Sequence, residues 1–410
     1  TLVMSTSMSF FESIGSPRFI SAPMVEQSSM AWRVYVRKHG ADLAFTQMMN
    51  AGQFLMNPKR MIDWTDYRHS SGSTEEEQKA KSLDKPLIMQ LAGNDAESLV
   101  KAAKLVQHQV AAVDLNLGCP QNIARRGNYG AFLLEDKDLV VKLLTALVQN
   151  LECPVTAKIR VLRADEDTLD LCRAIEACGV QMLTVHGRTV ECSKSETGPV
   201  NWGIIRKIKS ALRIPVVANG GVASRADALR CLEETGADAV MSSEALLENP
   251  RMFTEEGDRL FRENFPSYQL AMVRDFLETM LSFPSPKNLT LVIRGHLFKM
   301  LYRFVSAPRN LDLRDRLSCS SAHEMGGILD ELERRMQRLD FETQRAVDEG
   351  FLTANYWYAR HRHPYRPHVF AETAAPRRNQ EKDLDQEQEQ GLQFQDGEVL
   401  GLFCTPTDNS

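Results

Sequence analysis

Between residues 18 and 253 the chain alternates short, almost wholly apolar runs with longer amphipathic stretches, and no other feature narrows its fold so far. The runs are FISAPM (19–24), LAFTQ (43–47), LIMQL (87–91), AVDLN (112–116), VTAKI (155–159), MLTVH (182–186), PVVAN (215–219) and DAVMS (238–242). A strand with one wet face alternates apolar and polar residues, whereas a parallel strand covered on both faces stays apolar nearly throughout. Helical patterns lie between most of the runs: SLVKAAKLVQHQV (98–110), LVVKLLTALVQNL (139–151), TLDLCRAIEACG (168–179) and ADALRCLEETG (226–236). Eight β-then-α units in this span match the ~250 residues typical of a closed eightfold barrel. A doubly wound open sheet is the competing α/β solution, but it seldom uses eight such regular repeats. The predicted fold is α/β, a (β/α)8 TIM barrel over residues 18–255 preceded by a short N-terminal extension (1–17).

After residue 253 the periodicity changes. Residues 268–283, 288–306 and 322–348 read as three helices, separated by the breakers PSP (284–286) and APRN (307–310), and make 265–350 a small all-helical domain. The polar stretch 70–82 reads as a surface loop. In 351–370 aromatics and bases interleave (NYWYARHRHPYRP), either as an RNA-stacking surface or as a chain end packing its rings on the barrel. The Gln/Glu-rich tail, 371–410, has too little apolar content to order itself and is expected to be disordered. That tail carries nine acids against three bases, so although the whole chain has a net charge of −5, the rest is close to neutral. An acidic partner is therefore allowed. The eight cysteines form no CxxC pair, which argues against a disulfide framework or a structural zinc site and points to a reducing compartment, cytoplasmic or nuclear. No run approaches the ~18 apolar residues of a spanning helix, and no basic-then-apolar leader opens the sequence, so no membrane role is expected.

In a barrel of this kind the chemistry sits at the C-terminal ends of the strands. Those ends offer Met24, Gln47, Gln90, Asn116 with Cys119, Lys158, His186, Asn219 with Gly220 and Gly221, and Ser242 with Ser243. One polar or reactive residue at a strand end means little, because strands must meet polar loops; nearly every strand end carrying one, all on one rim, makes a site. The most specific segment is DLNLGCPQNIARRGNYGAFL (114–133). There Pro120 biases Cys119 towards extended backbone and Gly118 permits close approach of a ligand. A thiol of ordinary pKa near 8.5 is mostly protonated at neutral pH and suits a proton donor better than a nucleophile. An isolated cysteine is most often a small buried hydrophobe; inside a Gly-Cys-Pro turn on a barrel rim, the chemical reading prevails.

With these residues in view, the sequence resembles the dihydrouridine synthases, flavoenzymes that reduce uridine in transfer RNA. The resemblance rests on APM (22–24), the block 114–133, AKIR (157–160), VHGRT (185–189), ANGG (218–221) and ENP (248–250). QSSMAWR (27–33), LGCPQ and RGNYGAFL look most like the eukaryotic branch acting on D-loop uridines 16 and 17. The resemblance implies an FMN-bearing barrel followed by a helical tRNA-binding domain, with NADPH or NADH as reductant. It further implies that Pro23, Met24 and Val25 line the flavin, Gln90 bonds its ring, and Lys158 and His186 sit at the electron-poor end, where a cation stabilises the reduced ring. The FMN phosphate is expected at Asn219, Gly220, Gly221, Ser243 and Glu244, although many relatives have Gly-Arg where Ser243 and Glu244 stand. Cys119 would protonate C5 of uracil after hydride reaches C6, Asn116 would hold the flipped base, and Arg125, Arg126 and Arg188 would meet RNA phosphates. A monomer is expected. Deleting residues 265–410 is expected to leave flavin binding intact and weaken tRNA binding.

Three other readings compete. The nearest is an FMN-dependent barrel oxidoreductase acting on a free pyrimidine, dihydroorotate dehydrogenase-like, which does not account for the helical extension. A flavin-free lyase would form a Schiff base through Lys158. An inactive RNA-binding relative is at odds with the intact Cys119, Lys158 and His186.

Overall fold

The computed structural model describes residues 9–58, 82–192, 198–283 and 289–337, together with Glu75 and Lys79. Its strands are β1 (Phe19–Ser21), β2 (Leu43–Phe45), β3 (Met49–Asn50), β4 (Leu87–Ala92), β5 (Ala112–Leu117), β6 (Val155–Arg160), β7 (Leu183–His186), β8 (Val216–Asn219) and β9 (Ala239–Ser242). All pairings are parallel. β1 bonds to both β2 and β9, β2 continues to β4, and β4 to β9 follow in order, so eight strands close into a TIM barrel. The two-residue β3 is an addition beside the C-terminal end of β4, pairing Met49 with Leu91 and Asn50 with Ala92.

Two apolar layers hold the cylinder. Inside it, Ile20, Leu43, Phe45, Ile88, Ala112, Met182, Val217, Ala239 and Met241 pack together with Phe10. Phe10 comes from a one-turn helix, Phe10–Ser13, held by a reciprocal cap between Ser9 and Glu12. Burying its ring contributes roughly 1.5–3 kcal/mol, and with Phe11 and Ile14 beside it the N-terminal segment is part of the barrel core. Outside, strand residues such as Val113, Leu115, Ala157, Ile159 and Val185 meet the helices. Those helices start where a side chain can take the free N3 amide: Ser29, Asp95, Asp136, Asn201 and Ser224 each accept that bond, worth about 1 kcal/mol apiece. No described helix is long and apolar enough to cross a membrane.

Beyond the barrel come helices Glu255–Glu263, Phe265–Ser282, Leu289–Met300, Tyr302–Val305, Leu311–Cys319 and Met325–Gln337. Two expectations are corrected here. The span 288–306 is not one helix but divides at Leu301. APRN (307–310) is a 3-10 turn at Pro308–Asn310 that leads straight into a helix, Leu311–Cys319, which the sequence reading missed. That helix buries only Leu313 and Leu317, one turn apart, so it carries too thin an apolar stripe to stand out as periodic. Of the expected helix 322–348, Met325–Gln337 is seen. Residues 338–350, the basic and aromatic segment 351–370, the acidic tail 371–410 and most of the polar stretch 70–82 lie outside the described residues.

The barrel and these helices share one apolar core. Phe276 of Phe265–Ser282 meets Trp32 and Tyr35 of the helix Met30–Lys38 edge-on, with ring centroids 6.0 and 5.1 Å apart. His296 of Leu289–Met300 stacks on Trp32 at 4.5 Å. Beside them the Tyr35 hydroxyl donates to Asp275 at 2.9 Å while Arg251, just past β9, donates to the same hydroxyl at 3.0 Å. The QSSMAWR segment therefore serves the packing of barrel against helices. Its Arg33 is fully buried and bonds Asp84 through Nε (2.9 Å) and Nη2 (2.5 Å).

Candidate active site

Register brings the strand-end residues together around the mouth of the barrel. Asn116 pairs with Lys158, Arg160 with His186, His186 with Asn219, and Asn219 with Met241. On β5 and β6 polar residues recur every second position (Asp114, Asn116; Thr156, Lys158, Arg160), which places them on one face of the sheet while the apolar alternates pack against the helices.

Cys119 sits in a turn built by several neighbours. Asn116 Oδ1 accepts from the amides of Gly118 (3.1 Å) and Cys119 (3.0 Å). Ala131 donates to the Cys119 carbonyl at 3.1 Å. Gly130 lies directly against the turn with φ +68°, and a Cβ there would come within 2.8 Å of the Cys119 carbonyl oxygen. The Arg-Gly-x-x-Gly run thus ends in a glycine because the Cys119 turn occupies the space of a side chain. The thiol is half-buried, and burial pushes it up from its ordinary value, against the opposing pull of the Gln121 backbone, Arg160 and Lys158. It is a protonated thiol at neutral pH, facing cations that would stabilise the thiolate left after a proton is given away.

Lys158 makes no hydrogen bond or ion pair with a described residue. Burial and the neighbouring Arg160 lower it to about 8, while Asp114 and Cys119 oppose the shift. His186 is held well below its ordinary value by burial and by three cations, Lys158, Arg160 and Arg188. It is a neutral imidazole. Arg188 Nη1 lies 3.2 Å from its Nε2 and can only donate, so the ring proton belongs on Nδ1. Arg160, which the sequence reading quoted without a role, is a clip: Nε donates to the Gly118 carbonyl (2.9 Å), and Nη1 to those of Thr189 (2.7 Å) and Cys192 (3.0 Å). It ties the loop after β5 to the loop after β7. Among the described residues, three buried or half-buried cations and one buried acid, Asp114, therefore share the mouth. It is an electropositive cup.

The remaining predicted residues separate. Pro23 and Met24 are half-buried on the loop after β1, while Val25 is exposed. Gln90 is buried with both ends of its amide engaged: Nε2 donates to Asp114 Oδ2 (2.8 Å), and Oε1 accepts from Asn116 Nδ2 (2.8 Å). A base contact from Asn116 can use only the one N–H its amide leaves over, while Gln90 keeps one N–H and one lone pair of Oε1 for a ring contact. Gly220 and Gly221 adopt φ +99° and +76°, and a Cβ on Gly220 would strike His186 at 2.6 Å. Their amides, with that of Ser243, donate to no described residue. Ser243 leads into the helix Glu244–Glu248 without capping it, and Glu244 is exposed. Asn219 turns inward, donating to the Met241 carbonyl at 2.9 Å. Arg125 and Arg126 are exposed on the short helix after Cys119. Arg188 is not with them: it is 7% exposed and bonded to His186 and to the Gly198 carbonyl (3.3 Å), so its charge acts inside the mouth. The sequence reading missed Asp114 and Thr156 as well, although their every-second-residue spacing with Asn116 and Lys158 was visible.

No group of three or more His, Cys, Asp or Glu side chains among the described residues could hold a metal ion. A family model described as dihydrouridine synthase matches residues 20–339. The chain is 39% identical over 319 residues, 77% of its length and 72% of the relative's, to the NAD(P)(+) tRNA-dihydrouridine(16/17) synthase of Saccharomyces cerevisiae. It is 37% identical to the protein of the same name from Schizosaccharomyces pombe, over 75% of each chain. A Mus musculus protein named as tRNA-dihydrouridine(16/17) synthase-like is 33% identical over 95% of this chain and 75% of that one.

Proposed function

Because the chain belongs to the dihydrouridine synthase family, we propose that it reduces uridines 16 and 17 of transfer RNA to 5,6-dihydrouridine at the expense of NAD(P)H. The net reaction converts uridine, NAD(P)H and one proton into dihydrouridine and NAD(P)+. The observation that carries this reading is the Cys119 thiol, held protonated by burial beside a Lys158 that bonds no described residue and a neutral His186, in an electropositive barrel mouth.

The mouth suits FMN by the chemistry of its donors. Lys158 brings a positive charge that no described acid neutralises by contact, and His186 an N–H on Nδ1, both suited to an electron-rich ring edge. The amides of Gly220, Gly221 and Ser243, which donate to no described residue, suit a phosphate, which here would rely on backbone N–H groups because Glu244 stands where an arginine would pair with it. When bound, FMN supplies the hydride that uracil receives at C6. Cys119 gives its proton to C5, and the resulting thiolate is held by the field of Lys158 and Arg160 until it is reprotonated. The target base must leave its stack to reach the mouth. Arg125 and Arg126 on the exposed rim, and the helices beyond residue 265, would hold the surrounding RNA through its phosphates, the molecule acting as a monomer in cytoplasm or nucleus. A free pyrimidine would need none of that rim.

The test separates proton donation from everything before it. In the Cys119→Ala protein, NADPH oxidation with bound flavin should stay within about threefold, while dihydrouridine formation drops by about 10²–10⁴-fold, the usual worth of a positioned proton donor. Full activity on tRNA in that variant rules Cys119 out.

A further inference from the structure

A chain of buried hydrogen bonds runs from the interior of the barrel to the Cys119 turn. It starts at Asp114, which is fully buried in the middle of β5. Thr156 Oγ1 on β6 donates to Asp114 Oδ1 at 2.7 Å, and Gln90 Nε2 on β4 donates to Asp114 Oδ2 at 2.8 Å. With its amide turned that way, Gln90 presents Oε1 to Asn116 Nδ2 at 2.8 Å. Asn116 then has only Oδ1 to offer the turn, and that oxygen receives the Gly118 and Cys119 amides. Each link fixes the orientation of the next, because an amide has a donor end and an acceptor end that cannot be exchanged without breaking a bond on both sides.

The acid at the start of the chain decides the direction. Asp114 ionised is acceptor-only, so Gln90 must turn its nitrogen towards it and its oxygen towards Asn116. An apolar residue at 114 would leave Gln90 free to flip, set Asn116 the other way round, and turn an Asn116 N–H towards two amide N–H groups. We propose that Asp114 is a positioning residue for proton transfer, setting the pose of the Cys119 turn through Gln90 and Asn116. The inference rests on the reading of Cys119 as the proton donor. Burial raises the Asp114 carboxyl to about 6, against the bonds from Gln90 and Thr156 and the charge of Lys158, the ionisable side chain that acts on it. It is therefore ionised, and acceptor-only, at neutral pH.

The test uses full-length protein and compares three variants in single-turnover transfer to tRNA and, separately, in flavin reduction by NADPH. Asp114→Ala removes the acceptor and should lower transfer by about 10–100-fold, the order of loss that small misplacement causes. Asp114→Asn removes the same charge but can keep the chain, with Oδ1 accepting from Gln90 and Nδ2 donating to Thr156, and should restore transfer to within about fivefold of wild type. Thr156→Val is isosteric and leaves the acid in place with one anchor fewer; it should lower transfer about three- to tenfold with flavin reduction unchanged. If Asp114→Ala does not fold, the Thr156→Val result decides. Transfer unchanged in Thr156→Val and in folded Asp114→Ala overturns the proposal, as does an Asp114→Asn protein as impaired as Asp114→Ala, which would make the charge and not the orientation responsible. Failure of the Cys119 reading itself shows elsewhere, as tRNA activity retained in Cys119→Ala.

Discussion

A single ammonium group sets much of the electrostatics at the mouth. Burial and Arg160, two residues on, have brought Lys158 down to about 8, and together with Arg188 these cations surround His186. Below that pH Lys158 is charged and attracts a phosphate-bearing, electron-rich ligand; above it the charge is lost. FMN affinity, read by flavin fluorescence quenching, should therefore fall about tenfold, roughly 1.4 kcal/mol, as pH rises from 7 past 8. The Lys158→Met protein should bind weakly throughout and show no such step; a step of the same size in that variant would assign it to another group. The neighbouring His186 cannot supply it, because burial and its cationic surroundings keep it neutral across this range. Residue identities along this rim were legible in the sequence, since a polar residue stands at or beside the end of seven of the eight apolar runs. Their partners were not. Arg188 follows His186 in a motif that suits a phosphate clamp, yet it folds inward, because its guanidinium finds the His186 Nε2 and a loop carbonyl nearer than solvent.

At the scale of elements, the loop after β5 shows how a motif becomes a shape. Arg160 donates to the Gly118 carbonyl, the Asn116 side chain closes the turn, and Gly130 takes a left-handed conformation against the Cys119 backbone. Gly130→Ala would meet both a disfavoured φ and a 2.8 Å contact, costing about 1–3 kcal/mol. A lowered melting temperature should accompany a loss of tRNA activity greater than any loss of flavin binding, because the displaced atoms belong to the Cys119 turn. Gly326→Ala makes the matching control. That glycine lies in the first turn of Met325–Gln337 with nothing within 4 Å, so the change should stabilise by about 0.5–1 kcal/mol and leave activity alone. Melting curves of the two proteins shifted in the same direction would contradict this account. The strands could be read from their apolar runs to within a few residues, since strand length and parallel burial are local properties. The short helix Leu311–Cys319 could not, because two buried leucines impose no period.

For the molecule as a whole, the apolar layer outside the barrel does not stop where the barrel ends. Phe253, Phe265, Met272, Val273, Phe276 and Leu277 belong to the same buried cluster as Trp32, Tyr35 and the strand residues beneath them. This alters the consequence of removing residues 265–410. Such a truncation would uncover the Trp32 and Tyr35 face, so it should give aggregated protein rather than a soluble flavoprotein with weak tRNA affinity. Size-exclusion chromatography of the truncated chain checks this; a monodisperse, yellow product would show that the barrel stands alone. The amino-acid sequence by itself determined the closed parallel barrel and the polar residues that end most of its strands, and it singled out Cys119 as the thiol to test, because apolar run length, strand-to-helix period and the Gly-Cys-Pro turn are all short-range signals. Only the tertiary structure decided that Asp114, Gln90 and Asn116 form one oriented chain, that Arg160 clips two loops together, and that the helices share the barrel's core. Those relations depend on which residues meet across strands and layers, and hydrogen-bond direction and close packing exist only once the cylinder has closed.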